Sequence, residues 1–203
     1  MKRILTLSLV FVFLFCFVAC GNGDSSEPTS SVEDLSSEVV GYVLKGAIPE
    51  LKFAIGASVD DLEDYYNDIE SQIQSSHEDG EGHVHDEHDM YMNISSGELS
   101  VTYEIGTQKY YYEKSKKEKG ISVICSLGDA MGFKQGTSRS DVEKRLSGIE
   151  TTSLEAGEDE LYFVPIAEAL VLRYIDGDFQ LDFYFNDNQL VATVLRNTKN
   201  WTI

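Results

Sequence analysis

All four histidines of the 203-residue chain fall between positions 77 and 88. His77, His83, His85 and His88 share the stretch 77–89 with six carboxylates and two glycines, Gly80 and Gly82. Neutral imidazole nitrogens suit Zn2+, Cu2+ and Ni2+ better than Ca2+ or Mg2+. In an extended segment His83 and His85 point to the same side, and His88 follows within a turn. The carboxylates attract a dication and can complete its shell or accept from the ligating rings. The chemistry expected here is capture of a divalent transition metal by His77, His83, His85 and His88, with zinc as the one candidate cofactor. A solvated acidic loop stands beside that reading, because a glycine-containing segment must lose conformational entropy to close on an ion. Ligating histidine must be neutral, so capture should weaken as pH falls through about 6 to 7.

The cysteines carry the second kind of chemistry. Lys2 and Arg3 precede an apolar run over residues 4–19, which reads as a secretory signal. At its exit, Phe17-Val18-Ala19-Cys20 followed by Gly21-Asn22-Gly23-Asp24 resembles a bacterial lipobox. That resemblance implies attachment of a diacylglycerol to the Cys20 sulfur and cleavage before Cys20, leaving an extracytoplasmic chain anchored to the cell membrane by its lipid. Two acyl chains on one residue suffice for stable anchoring. Cys16 leaves with the signal and Cys20 is acylated, so Cys125 stands alone and no intramolecular disulfide forms. Within Ile121-Ser122-Val123-Ile124-Cys125, Cys125 reads as a small buried group on a strand.

Charge narrows the partners. The chain carries 16 Lys and Arg against 35 Asp and Glu, a net of −19. Removal of residues 1–19 takes two basic groups and leaves −21. Nucleic acid is therefore excluded as a partner held by bulk electrostatics. Asp176 and Asp178 could pair as an acid and a base, but with so many carboxylates such pairs are unavoidable. No phosphate-binding glycine loop, nucleophile elbow or metalloprotease signature is present, and every histidine sits in one tract, so no enzyme is expected. Tyr91, Tyr103, Tyr110, Tyr111, Tyr112 and Tyr184 are expected in the core or along a sheet edge, with an aromatic docking face as the other reading. Residues 114–119, rich in lysine, read as a solvated hairpin tip.

These residues need a frame. Residues 21–37 are rich in Ser, Gly and acid with little to bury, so they read as a tether, and folding is expected to start near Glu38. Phe53, Gly56, Ser58, Asp61, Glu63, Ile69 and Glu70 recur 80 residues later as Phe133, Gly136, Ser138, Asp141, Glu143, Ile149 and Glu150. Self-similarity at a fixed offset signals duplicated architecture. Ser58 and Ser138 are placed to cap helices, with Asp61 and Asp141 near the positive end of each dipole. Val59, Leu62, Tyr65, Tyr66, Ile69 and Ile73 follow at helical spacing, as do Val142, Leu146 and Ile149. Leu99, Val101, Tyr103 and Ile105 alternate with polar residues, as do Phe179, Leu181, Phe183 and Phe185. The offset of 80 continues into these strands without a gap, and residues 161–164 read as a further strand. Asp176-Gly177 and Asp187-Asn188 punctuate hairpins.

The expected fold is α+β, with a module of one or two helices and an antiparallel meander built twice. Its parts are a signal over 1–19, the acylated cysteine and tether over 20–38, a first repeat over 39–126 with the His-rich insertion 77–89, and a second repeat over 127–203. This layout, behind a lipobox and a Ser-rich tether, resembles Gram-positive envelope lipoproteins that carry a tandem domain of unknown function (DUF4309-like). It is similar in layout to the β-lactamase-inhibitor-protein fold. The resemblance implies sheets aligned into one concave surface and a non-enzymatic binding role, with an envelope protein or wall component as partner. The alternative is a metal-binding or metal-relay lipoprotein centred on the His tract.

Overall fold

The computed structural model describes residues 33–76, 90–92, 99–157, 162–164, 166 and 168–201. Within them the chain forms α1 (Ser36–Val43), α2 (Val59–Ser76), β1 (Met90–Met92), β2 (Leu99–Ile105), β3 (Gln108–Glu113), β4 (Val123–Ser126), α3 (Arg139–Arg145), β5 (Thr152–Glu155), β6 (Leu170–Asp176), β7 (Phe179–Asn186) and β8 (Gln189–Asn197). This is an α+β fold around one antiparallel sheet, ordered β1-β2-β3-β4-β8-β7-β6-β5.

Local chemistry fixes where the helices start. Ser58 Oγ accepts from the Asp61 N–H at 3.3 Å, and Ser138 Oγ from the Asp141 N–H at 3.2 Å. Each serine thus satisfies one of the amides a helix leaves unpaired at its N-terminus. Val59 and Leu62 of α2 and Val142 and Leu146 of the α3 segment are buried, as the helical spacing requires. Two turns ahead of these helices share a bonding scheme. Gly56 N–H donates to Ile121 O (2.7 Å) and Ile121 N–H to Ala57 O (3.0 Å). In the second half Gly136 N–H donates to Leu190 O (2.8 Å) and Leu190 N–H to Thr137 O (2.9 Å).

The inner face of the sheet holds the main core, where Val101, Tyr103, Tyr110, Tyr112, Ile124, Leu172, Leu181, Phe183, Phe185 and Leu195 meet residues from the helices. Phe133 and Phe183 pack edge to face there, with centroids 5.6 Å apart. Contacts distant in sequence tie the halves together. Leu35 N–H donates to Arg145 O at 2.8 Å, and Gly148 N–H to Ser36 Oγ at 2.9 Å. The Glu50 carboxylate accepts from Met131 N–H and Gly132 N–H at 2.9 and 3.2 Å.

Three expectations change. Folded structure starts ahead of residue 38, because Leu35 is already core and Ser36 opens α1. The offset of 80 aligns turns and caps but not strands: it lays β2 on β7, whereas β2 is second in its meander and β7 third in its own. The difference arises ahead of β2, since the chain runs from the Ser58 cap through the 18-residue α2 to Leu99 in the first half but from the Ser138 cap through the 7-residue α3 to Leu170 in the second. Residues 162–164 form a turn rather than a strand. Beyond these, polar residues that alternate with the apolar ones along the strands are themselves buried: Ser100, Thr102, Gln180 and Asp182.

Candidate functional site

Cys20 and all four histidines lie outside the described residues. What the structure supplies is the ground on which the His tract stands. The tract joins the end of α2 to β1, the edge strand of the sheet. Helix α2 has Asp60 and Asp61 in its first turn and no basic residue in its last. The carbonyls at the end of its 18 residues carry partial negative charge that no basic residue of its own last turn offsets, a field that favours a cation. Among the described residues, no group of three or more His, Cys, Asp and Glu side chains is arranged to hold a metal ion.

Reactive side chains within the fold are sealed. Cys125 lies in β4 fully buried, and desolvation pushes its thiol up to about 12, so the thiolate needed for nucleophilic attack does not form near neutral pH. Tyr103 and Tyr112 are raised above the ordinary phenol range by burial first and by Glu63 second. Both hydroxyls donate to Glu63 Oε1 at 3.4 Å, and Lys117 Nζ lies 3.1 Å from Glu63 and 2.9 Å from Asp60. This cluster pins the turn Lys114–Lys119 to α2, so Lys117 of the expected hairpin tip is a tie rather than a free cation. A shallow open depression beside it is lined by Gly56, Ser58, Val59, Lys117 and Gly120.

The outer face of the sheet is covered where a docking surface was expected. Tyr111, Val123, Cys125, Val171, Tyr184, Ala192 and Val194 form a second apolar cluster there with Phe163, Val164 and Trp201. Tyr111 stands edge-on to Phe163 and to Trp201, with centroids 5.3 and 6.0 Å away. Tyr162 reaches across to hydrogen-bond Ser100 of β2. Tyr103, Tyr110, Tyr111, Tyr112 and Tyr184 are all buried, so they pack rather than display an aromatic face. Leu44 and Ile175 are the only large exposed hydrophobic residues among those described, and they make no broad apolar patch.

Charge crosses this same face in a line. Lys109 pairs with Glu104 at 2.5 Å on one flank, and on the other Arg173 grips Asp182 through Nε (2.7 Å) and Nη2 (2.9 Å). Gln180 Nε2 adds a third bond to Asp182 at 2.7 Å. Sequence reasoning missed this buried carboxylate. Its signal was an Asp at a strand position flanked by aromatic and aliphatic residues, where burial demands a cationic partner.

No family model matches the sequence, and no curated protein matches it. A solved structure, described as a DUF4309 family protein (YjgB) from Bacillus subtilis subsp. subtilis str. 168, is 17% identical with a TM-score of 0.45. That likeness covers 80% of this chain and 95% of the other.

Proposed function

We propose that the chain is a lipid-anchored, extracytoplasmic protein whose folded part is a non-enzymatic binding module of the cell envelope. Cys20 carries the lipid, the following residues are the tether, and an envelope protein or wall component is the partner. The observation that favours binding over catalysis is the sealed interior: the Cys125 thiol is buried and pushed up to about 12, and the tyrosines are packed. A covered sheet moves the contact surface away from the sheet faces, onto the strongly acidic exterior and the segments inserted at the edges.

The fold itself is inferred to be a tandem duplication of the β-lactamase-inhibitor-protein kind. Each half supplies a four-strand meander, and β4 pairs with β8 at the centre. The matching turn bonds make Ile121 the counterpart of Leu190, so Cys125 is the counterpart of Val194. Cys125 is paired with Val194 across the central ladder, Ile124 with Leu195 and Ser126 with Thr193, the pairing a local two-fold axis produces.

The second reading, a zinc-binding or metal-relay lipoprotein centred on residues 77–89, is favoured by the C-terminal end of α2, whose own last turn holds no basic residue and which leads into the tract. One paired experiment separates the two. Pull-downs from envelope extracts are run with the full chain and with residues 77–89 deleted, beside calorimetric zinc titration of the full chain and of the triple variant His83→Ala, His85→Ala, His88→Ala. The binding-module reading expects the same captured partner with and without the tract. The metal reading expects at least one zinc site, weakened about tenfold or more in the triple variant and on lowering the pH from 7.5 to 5.5. Partner capture lost with the tract removes the first reading, and zinc binding unchanged in the triple variant removes the second.

A further inference from the structure

We propose that β5 is a docking edge for a second copy of this chain, the two β5 strands pairing antiparallel about a two-fold axis at Leu154. This goes beyond the binding role and holds whether or not Cys20 carries a lipid.

β5 stands at one end of the sheet and, among the described strands, pairs with β6 alone. Its register sets Thr152 opposite Arg173, Ser153 opposite Leu172, Leu154 opposite Val171 and Glu155 opposite Leu170. The same register continues to Ala156, whose N–H donates to Ala169 O at 2.8 Å. Antiparallel ladders bond at every second residue, so Thr152, Leu154 and Ala156 turn their backbone groups toward β6. Ser153 and Glu155 turn theirs away. Thr152, Ser153 and Glu155 are also exposed. The outward N–H and C=O groups of Ser153 and Glu155 therefore form an open row to which another extended strand can bond. Sheet edges are ordinarily guarded by lysine, proline or a bulge. β5, with the sequence Thr-Ser-Leu-Glu and an unbroken register, has none of these.

The side chains select the occupant. Leu154 and Ala156 pack on the outer apolar cluster. Ser153 lies on the helix side of the sheet, where Arg139 of α3 donates through Nη2 to its Oγ at 2.6 Å. Glu155 shares that side, two residues on. With the axis at Leu154, Ser153 of each copy lies opposite Glu155 of the other, and each such pair exchanges both of its outward backbone bonds. Each Glu155 carboxylate then faces the Arg139 guanidinium held at the opposing Ser153, and the two Leu154 side chains meet on the outer side. A slip of two residues sets Glu155 against Glu155 in one direction and brings Arg139 beside Arg139 in the other. Like charges placed opposite one another destabilise a strand pair, so charge fixes the register. The edge is short and the chain carries a net charge of −19, so the contact is weak and reversible, smaller than that of a permanent dimer.

Sedimentation equilibrium of the purified full chain in mild detergent, over a series reaching about 1 mM, should show a monomer–dimer equilibrium. Glu155→Arg, an exposed change that sets like charges at the opposing Arg139, should weaken dimerisation about tenfold or more and leave the melting temperature in place. Leu154→Cys should form a disulfide-linked dimer under mild oxidation in a yield about fivefold or more above that of Ser153→Cys, because in this pairing residue 154 faces its own copy and residue 153 does not. A chain that stays monomeric throughout the series overturns the proposal. So does dimerisation that Glu155→Arg leaves unchanged, or cross-linking equal at positions 153 and 154.

Discussion

Gly120→Ala is expected to lower the melting temperature by about 10 °C or more, whereas Gly136→Ala, a substitution at another glycine of positive φ, should cost only a few degrees. Gly120 follows the helical turn Lys114–Lys119 with φ 76° and ψ −163°, a region that is essentially reserved for glycine. A methyl group there would meet backbone from another element: the Ala57 carbonyl, and the Gly56 carbonyl carbon and oxygen at 2.8 Å. Backbone cannot swing aside as a side-chain tip can. Relief requires separating the turn at Gly56 from Ile121, which breaks the Gly56–Ile121 and Ile121–Ala57 hydrogen bonds. Conformational strain of about 1–3 kcal/mol, plus about 1–3 kcal/mol for buried groups left unpaired, gives a total near 4 kcal/mol. That is a large part of the 5–15 kcal/mol by which domains are ordinarily stable, and each kcal/mol moves a domain of this size by roughly 2–4 °C. Gly136 also has positive φ, 81°, yet no atom lies within 4 Å of the added carbon, so it isolates the conformational cost alone. Thermal melts of the two variants side by side check this, and equal losses would show that close backbone approach at Gly120 is not the reason.

Arg173→Met should destabilise the fold by about 3–5 kcal/mol, the range for breaking a buried ion pair from one side. Asp182 is 3% exposed and takes two of its three described hydrogen bonds from Arg173. Without the guanidinium the carboxylate stays buried with only Gln180 to answer it. The penalty lies in the stranded charge rather than in the lost attraction, so the double substitution Arg173→Met, Asp182→Leu should recover more than half of the loss. Chemical denaturation of the single and double variants measures this. A double variant as unstable as Arg173→Met would mean that packing of the arginine stem, not charge, carries the effect.

How much of this was legible in the sequence depends on the range of the interaction concerned. Ser58 and Ser138 declared their helices because a cap is made within three residues. The alternation of Phe179, Leu181, Phe183 and Phe185 identified the inner face correctly, since the side-chain period of a strand is local. Asp187-Asn188 marked a tight turn for the same reason, and both residues have positive φ. The closure of the outer face was not legible. Nothing near Ser100 or Thr102 in the chain announces that Tyr162 and Trp201 will lie across that side, and alternating polar residues read by default as solvated. The mismatch in strand correspondence had a different origin: matching turns fix an offset only as far as the connections stay equal in length, and the stretches from the Ser58 cap to β2 and from the Ser138 cap to β6 do not. Asp182 was legible only in retrospect, as a carboxylate placed where its partner had to come from the neighbouring strand.

Detergent phase partitioning with radiolabelled palmitate tests most directly the proposed attachment of the folded domain to the envelope through Cys20. The native chain should be labelled, enter the detergent phase and have lost residues 1–19, while Cys20→Ser should carry no label. An unlabelled native chain in the aqueous phase, or label retained by Cys20→Ser, would contradict it.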